Sequence, residues 1–234
     1  MEKIVVANLK MNFTIDEMKD YLSELNKMSF NKHHFIVCPT FIYLPLFNNN
    51  YFIGAQNCHY LDKGSFTGEV SPSQLKSIGV SYVILGHSER RKTSDEDNNI
   101  MNNKAKAVLT NKMIPIICVG ETMKERKNNK TLERIKTQVY EILKDIDKNN
   151  LENIIIAYEP IWAIGTNITP TNSEIEEVAT YIKQITSINT KVLYGGSVNS
   201  NNIKELKLIK DLNGFLIGGS SLNIKELTTI LDNY

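Results

Sequence analysis

The feature that most constrains the fold is a repeated exchange of short apolar runs with longer amphipathic segments. Eight runs of strand type read IVVAN (4–8), HFIVC (34–38), YFIGA (51–55), YVILG (82–86), IPIIC (114–118), IIIAY (154–158), KVLY (191–194) and GFLIG (214–218). Several are apolar throughout rather than at alternate positions, the pattern of strands covered on both faces in a parallel α/β sheet. The segments between them carry helical spacing. Ile175, Val178, Ala179, Ile182 and Ile185 share one face opposite Glu174, Glu176, Glu177 and Lys183, and Thr171 to Glu174 supplies N-cap chemistry. Further helices are expected from Thr122 to Asp147 and from Ile224 to Leu231. No Pro/Ser-rich linker or shift in composition divides the 234 residues, so one domain over 1–234 is expected. Eight strand–helix units in this length favour a closed (β/α)8 barrel over an open doubly wound sheet; periodicity alone gives the alternation, not the closure.

Bulk properties remove several function classes. Lys+Arg 27 against Asp+Glu 26 gives a net charge of +1, so neither nucleic acid nor an anionic membrane is an expected partner. Any anion site must be built locally. No apolar stretch approaches the roughly 18–20 residues of a membrane span, and the N-terminal apolar run is too short for a signal peptide. Cys38, Cys58 and Cys118 are odd in number, form no CxxC pair and, at Cys38 and Cys118, end apolar runs. That suits reduced, buried thiols in a cytoplasmic protein better than disulfides or a zinc site.

If the strands are parallel, their carboxyl ends share one rim, where barrels place their chemistry. Reading those ends gives Asn8 and Lys10 after the first strand and His87, Ser88 and Glu89 after the fourth. Glu159 ends the sixth, and Gly-Gly-Ser turns follow the seventh (195–197) and eighth (218–220). Glycine turns let backbone N–H groups approach an anion closely, and two in succession match the barrel phosphate position; each alone would be an ordinary tight turn. Lys10 could neutralise an anionic substrate or be a surface lysine. His87 could donate to a carbonyl oxygen or bond nearby backbone. Glu89 could orient Lys10 or pair with Arg90 or Arg91. Cys118 reads first as a small buried residue at a strand end.

The segment 154–166, IIIAYEPIWAIGT, is the most pointed of these. A carboxylate at the end of a buried strand is costly to place and does little for packing. Pro160 then blocks continuation of the strand, and the sole tryptophan, Trp162, sits in the following loop. A general base beneath an apolar lid and a buried ion pair beside an ordinary connection both fit this segment alone. A carboxylate, an imidazole, a lysine and a phosphate cradle together describe proton transfer beside a carbonyl of a small phosphorylated compound. His87 and Lys10 could stabilise an enediolate oxygen, so no cofactor and no metal is expected.

The fragments ANLKMN (7–12), AQN (55–57), TGEVS (67–71), GHSERR (86–91), PIICVGE (115–121), AYEPIWAIGT (157–166), YGGSV (194–198) and GFLIGGSSL (214–222) span the chain in order. The sequence thereby resembles the triosephosphate isomerase family, whose fold is the TIM barrel. The resemblance implies interconversion of dihydroxyacetone phosphate and D-glyceraldehyde 3-phosphate, in glycolysis and gluconeogenesis, with Glu159 as base and His87 as electrophile. It implies that Lys10 and Asn8 contact the substrate, that Gly165, Ser197, Gly218 and Gly219 contact its phosphate, and that 160–166 with a few further residues forms a closing lid. It further implies a homodimer, in which the long segment 56–71, with Phe66 near its tip, brings Thr67 to the partner's active site.

Three departures stand out. Asn167 occupies a lid position often held by glycine, Ser94 follows GHSERR where an aromatic residue is common, and the chain is short, with a trimmed connection between the second and third strands. A sugar-phosphate aldolase or epimerase on the same barrel is the enzymatic alternative, but no Schiff-base lysine or metal and paired-acid pattern is evident. A catalytically weak relative that binds a phosphorylated ligand or serves as an interaction protein is the other. Glu159, His87 and Lys10 together count against it.

Overall fold

A computed structural model describes residues 3–47, 50–164 and 168–234. Eight strands, β1 (Ile4–Asn8), β2 (His34–Cys38), β3 (Phe52–Ala55), β4 (Tyr82–Leu85), β5 (Ile114–Val119), β6 (Ile155–Tyr158), β7 (Lys191–Tyr194) and β8 (Gly214–Ile217), follow one another around a closed barrel. All pairings are parallel, and β1 closes on β8 through Val5 opposite Phe215 and Ala7 opposite Ile217. The closure that periodicity could not supply is therefore present.

The helices are α1 (Ile15–Leu25), α2 (Pro72–Ser77), α3 (Ser88–Thr93), α4 (Asn98–Thr110), α5 (Met123–Lys127), α6 (Thr131–Ile142), α7 (Asn172–Ile185), α8 (Ile203–Leu206) and α9 (Ile224–Asn233). Helix α7 begins as its sequence requires, with a capping box between Thr171 and Glu174. The helix expected over 122–147 is instead two. Helix α5 stops after one turn and Asn129 takes a left-handed φ of 55°, a conformation asparagine tolerates, before α6 begins. Among its described residues, the connection between β2 and β3 holds only a short 3-10 segment, Phe41–Leu46, in keeping with its trimmed sequence.

Two apolar layers explain the strand sequences. Ile4, Val6, Ile36, Ile84, Ile116, Ala157, Leu193 and Leu216 form a cluster supplied by strands alone, which is the barrel interior. Their strand neighbours Val5, Ala7, Val83, Ile117 and Ile156 pack instead with helix residues such as Met18, Leu25, Val108, Ile135, Val178 and Ile230. Apart from the start of β3, where Phe52 is exposed, both faces of the strands are thus buried, and the continuous apolar runs follow from that.

This alternation also delivers polar groups to the mouth. Positions 4, 6 and 8 face inward on β1, as do 155, 157 and 159 on β6, so Asn8 and Glu159 extend interior rows beyond the apolar layers. Residue 87 has the wrong parity on β4. Gly86, with φ of 66°, turns the chain there, so the strand ends at Leu85 and His87 is brought to the cavity.

Candidate active site

Asn8, Lys10, His87, Glu159, Ser197, Gly218 and Gly219 line one cavity of about 430 Å³ at the carboxyl ends of the strands. Ile164, Leu216 and Leu222 supply apolar wall beside them. The sequence-expected residues at positions 8, 10, 87, 159, 197, 218 and 219 are therefore brought together from β1, β4, β6, β7 and β8. Gly165, like Asn167, lies outside the described residues. Thr67 is exposed on the segment 56–71 and does not line this cavity.

Glu159 is only 2% exposed, and its surroundings are shaped for it. Its backbone N–H donates to Val119 at 2.7 Å, locking the end of β6 to the end of β5. Gly120 makes that approach possible, since a Cβ there would come within 1.8 Å of the Glu159 carbonyl oxygen. Carboxylate Oε2 accepts from the Ser88 N–H at 3.2 Å. Oε1 faces His87 Nε2 at 3.4 Å and, among the described residues, accepts no hydrogen bond.

Helix α3 orients both groups with amides that have no partner within its first turn. While Ser88 N–H goes to Glu159, the Glu89 N–H donates to His87 Nδ1 at 3.3 Å. An Nδ1 that accepts is unprotonated, so the neutral ring carries its hydrogen on Nε2, the nitrogen beside Glu159.

Lys10 has a left-handed φ of 52°, unusual for a side chain of its size, and the neighbourhood holds it there. Its N–H donates to Asn8 Oδ1 at 3.1 Å, and its carbonyl accepts from Gln56 Nε2 at 2.9 Å. Gln56 also donates to Cys38 O at 2.9 Å, tying the Lys10 turn to the end of β2. The ammonium donates to Glu89 Oε1 at 2.6 Å, so of the partners open to Glu89 it is Lys10 that pairs with it. Burial of the Glu89 carboxyl opposes its ionisation, but the hydrogen bond from Lys10 and the neighbouring positive charge outweigh this and hold it below the ordinary carboxylate range.

Cys118, buried on β5, lies against this carboxylate. Burial pushes its thiol well above the usual range, and the Glu159 charge adds to the effect. It is a neutral wall, not a nucleophile. All three cysteines are free and buried.

The segment after Glu159 is anchored by a residue that sequence reading passed over. Glu121, fully buried at the end of β5, accepts at Oε1 from Trp162 Nε1 at 2.9 Å and from the Tyr158 hydroxyl at 3.2 Å. Its carbonyl accepts from Ile161 N–H at 3.1 Å. Ser197 Oγ donates to Ala163 O at 3.1 Å, linking the β7 turn to the same segment. Glu121 carried the signal that singled out Glu159, a carboxylate just beyond an apolar run. Gln56, by contrast, gave none beyond its place in AQN.

A family model described as Triosephosphate isomerase matches residues 3–234. The chain belongs to the triosephosphate isomerase family. A triosephosphate isomerase from Mycoplasmoides gallisepticum is 40% identical over 247 aligned positions, covering 99% of this chain and 98% of that protein. One from Mycoplasma mobile is 41% identical, covering 98% and 99%. One from Clostridium tetani is 40% identical, covering 98% and 95%. Membership of the triosephosphate isomerase family bears out the resemblance drawn from GHSERR and AYEPIWAIGT.

Proposed function

We propose that this protein interconverts dihydroxyacetone phosphate and D-glyceraldehyde 3-phosphate in central carbon metabolism, with Glu159 as the base. The observation that carries the assignment of the base is the buried carboxylate whose Oε1 accepts no hydrogen bond among the described residues while facing His87 Nε2 at 3.4 Å. A glutamate base beside a neutral histidine is the established chemistry of this family.

In this reading Glu159 takes a proton from C1 of the ketose. The C1–H bonding pair forms the C1=C2 bond, and the former carbonyl oxygen takes the displaced pair as an enediolate. His87 Nε2–H and the Lys10 ammonium stabilise that oxygen; a proton then passes to it from the C1 hydroxyl, the pair left on O1 forms the aldehyde C=O, and the C1=C2 pair takes the proton that Glu159 returns to C2. Asn8 holds the Lys10 turn. Ser197, Gly218 and Gly219 cradle the phosphate, with Gly165 completing the contact from the loop after Glu159. That loop is assigned as a lid, and exclusion of water strengthens each electrostatic contact. Glu89 orients Lys10, and Cys118 supports the carboxylate from below. No cofactor or metal enters the reaction.

We further read residues 1–234 as one barrel domain that works as a homodimer in the cytoplasm. The dimer reading is supported by large apolar side chains left bare: Met11 is 92% exposed, Ile42 76% and Phe66 42%. Thr67 adjoins Phe66 and is assigned to the contact with the partner. Free, buried thiols support a reducing compartment.

The direct test is conversion of glyceraldehyde 3-phosphate by the purified protein in a coupled assay, beside light scattering for the assembly. Turnover and a mass of two chains are expected. Absence of turnover, or a monomeric active protein, would overturn the corresponding part.

A further inference from the structure

Strands β4 and β5 part company just below the site. Their pairing ends at Leu85 opposite Ile117, because the left-handed turn at Gly86 carries the chain away. The next residues on each side are the ones that matter: Gly86 precedes His87, and Cys118 lies against Glu159. Nothing in the ladder fixes the separation of these two ends.

Arg91 spans the gap. Its Nε donates to Gly86 O at 2.9 Å and its Nη2 to Cys118 O at 3.3 Å, so one planar guanidinium bridges both strand ends. It occupies space that a side chain at position 86 would need, since a Cβ there would lie 3.0 Å from Nη2 and closer still to Met101. The guanidinium is itself braced from outside. Nη1 donates to Asn98 Oδ1 at 2.8 Å, and Asn98 Nδ2 donates to Glu141 Oε2 at 2.6 Å, joining α3, α4 and α6. A polar cavity of about 620 Å³, lined by Arg91, Glu96, Asn98, Arg134, Glu141 and Lys144 among others, lies on this outer side.

We propose that Arg91 is a positioning residue for the isomerisation: bridging Gly86 and Cys118, it fixes how His87 and Glu159 face each other. This rests on the roles given above to His87 and Glu159. It touches neither substrate nor reacting atoms, so its effect falls on the chemical step. The phosphate cradle on β7 and β8 is built without it.

The test uses Arg91→Ala, Arg91→Lys and Asn98→Ala in the full-length protein, with melting followed by circular dichroism. In both Arg91 variants kcat is expected to fall about tenfold or more, because an ångström of misplacement at reacting groups costs on the order of a hundredfold. The KM for glyceraldehyde 3-phosphate and inhibition by inorganic phosphate should stay within about twofold. Lysine cannot span two carbonyls as a planar fork does, so it should not restore the rate. Guanidinium chloride at millimolar concentration, admitted through the outer cavity, should recover part of the Arg91→Ala turnover, and equal urea or sodium chloride should not. Wild-type kcat in a folded Arg91 variant would overturn the proposal, as would KM and phosphate inhibition worsening in step with kcat. So would a failure of guanidinium to rescue. If the Arg91 variants do not fold, Asn98→Ala decides, since it removes only the outer brace: unchanged kcat overturns the proposal, and a reduced kcat with unchanged phosphate inhibition supports it. A wild-type protein without isomerase activity would instead defeat the reading of the site on which this rests.

Discussion

His87 Nε2 and Glu159 Oε1 face each other at 3.4 Å across the barrel mouth, each oriented by a different amide of one short helix. The Ser88 N–H holds the carboxylate and the Glu89 N–H holds the ring, so the first turn of α3 sets the state of both groups. An imidazole that must donate and a carboxylate that must accept are thus prepared by backbone amides, which only proline at 88 or 89 would remove.

The glycine turn after β8 gives a clean separation of folding from binding. A Cβ at Gly219 would meet no protein atom within 4 Å, although the residue lines the cavity. Gly219→Ala is therefore expected to melt within a few degrees of the wild type. Inhibition by inorganic phosphate should nonetheless weaken about tenfold, because the added methyl enters the space assigned to the anion. Unchanged phosphate inhibition in a folded variant would remove this turn from the phosphate site.

The Lys10–Glu89 pair predicts an acid-side effect with a definite sign. The Glu89 carboxyl is held below its ordinary range, so its contribution to stability is present above the unfolded value and is lost as pH falls through the lowered one. Urea unfolding compared between about pH 7 and about pH 3 should show a smaller acid loss for Glu89→Gln than for the wild type. The difference should be small, since the side chain is 55% exposed. Equal acid losses would deny the pair any part in stability.

Trp162 and Tyr158 both donate to the fully buried Glu121, whose Oε2 has no hydrogen-bond partner among the described residues. Trp162→Phe keeps an aromatic ring there but removes one donor from an under-satisfied carboxylate. It should cost about 1–3 kcal/mol of stability, read from urea unfolding. No loss would mean that the indole N–H is not what anchors the segment after Glu159.

Much of this architecture is legible in the sequence because it is periodic or local. The strands are visible since both faces are buried along nearly all of their length, and the start of α7 is visible because Thr171 and Glu174 form a capping box within four residues. Asn8 and Glu159 follow from the two-residue period of their strands. The break between α5 and α6 is a different case. Its signal, KNNK at 127–130, is present, but the apolar period of Leu132, Ile135, Val139 and Ile142 lies on one side of it alone, and the cost of the two asparagines appears only through the left-handed Asn129. The long-range bonds of Gln56 to Lys10, Arg91 to Cys118 and Trp162 to Glu121 were not legible at all. Such bonds depend on which strand ends become neighbours after closure, and periodicity carries no information on pairing.

Assignment of the proton transfer to Glu159 rises or falls on a single substitution. Turnover of glyceraldehyde 3-phosphate is measured for the wild type and Glu159→Gln in the same coupled assay, with inorganic phosphate inhibition measured beside it. The amide keeps the shape and can still accept at one oxygen, but it cannot serve as a base. Turnover should fall by about 10²–10⁴-fold or more, while phosphate inhibition stays near the wild-type value. Turnover of the variant close to that of the wild type would show that Glu159 is not the base.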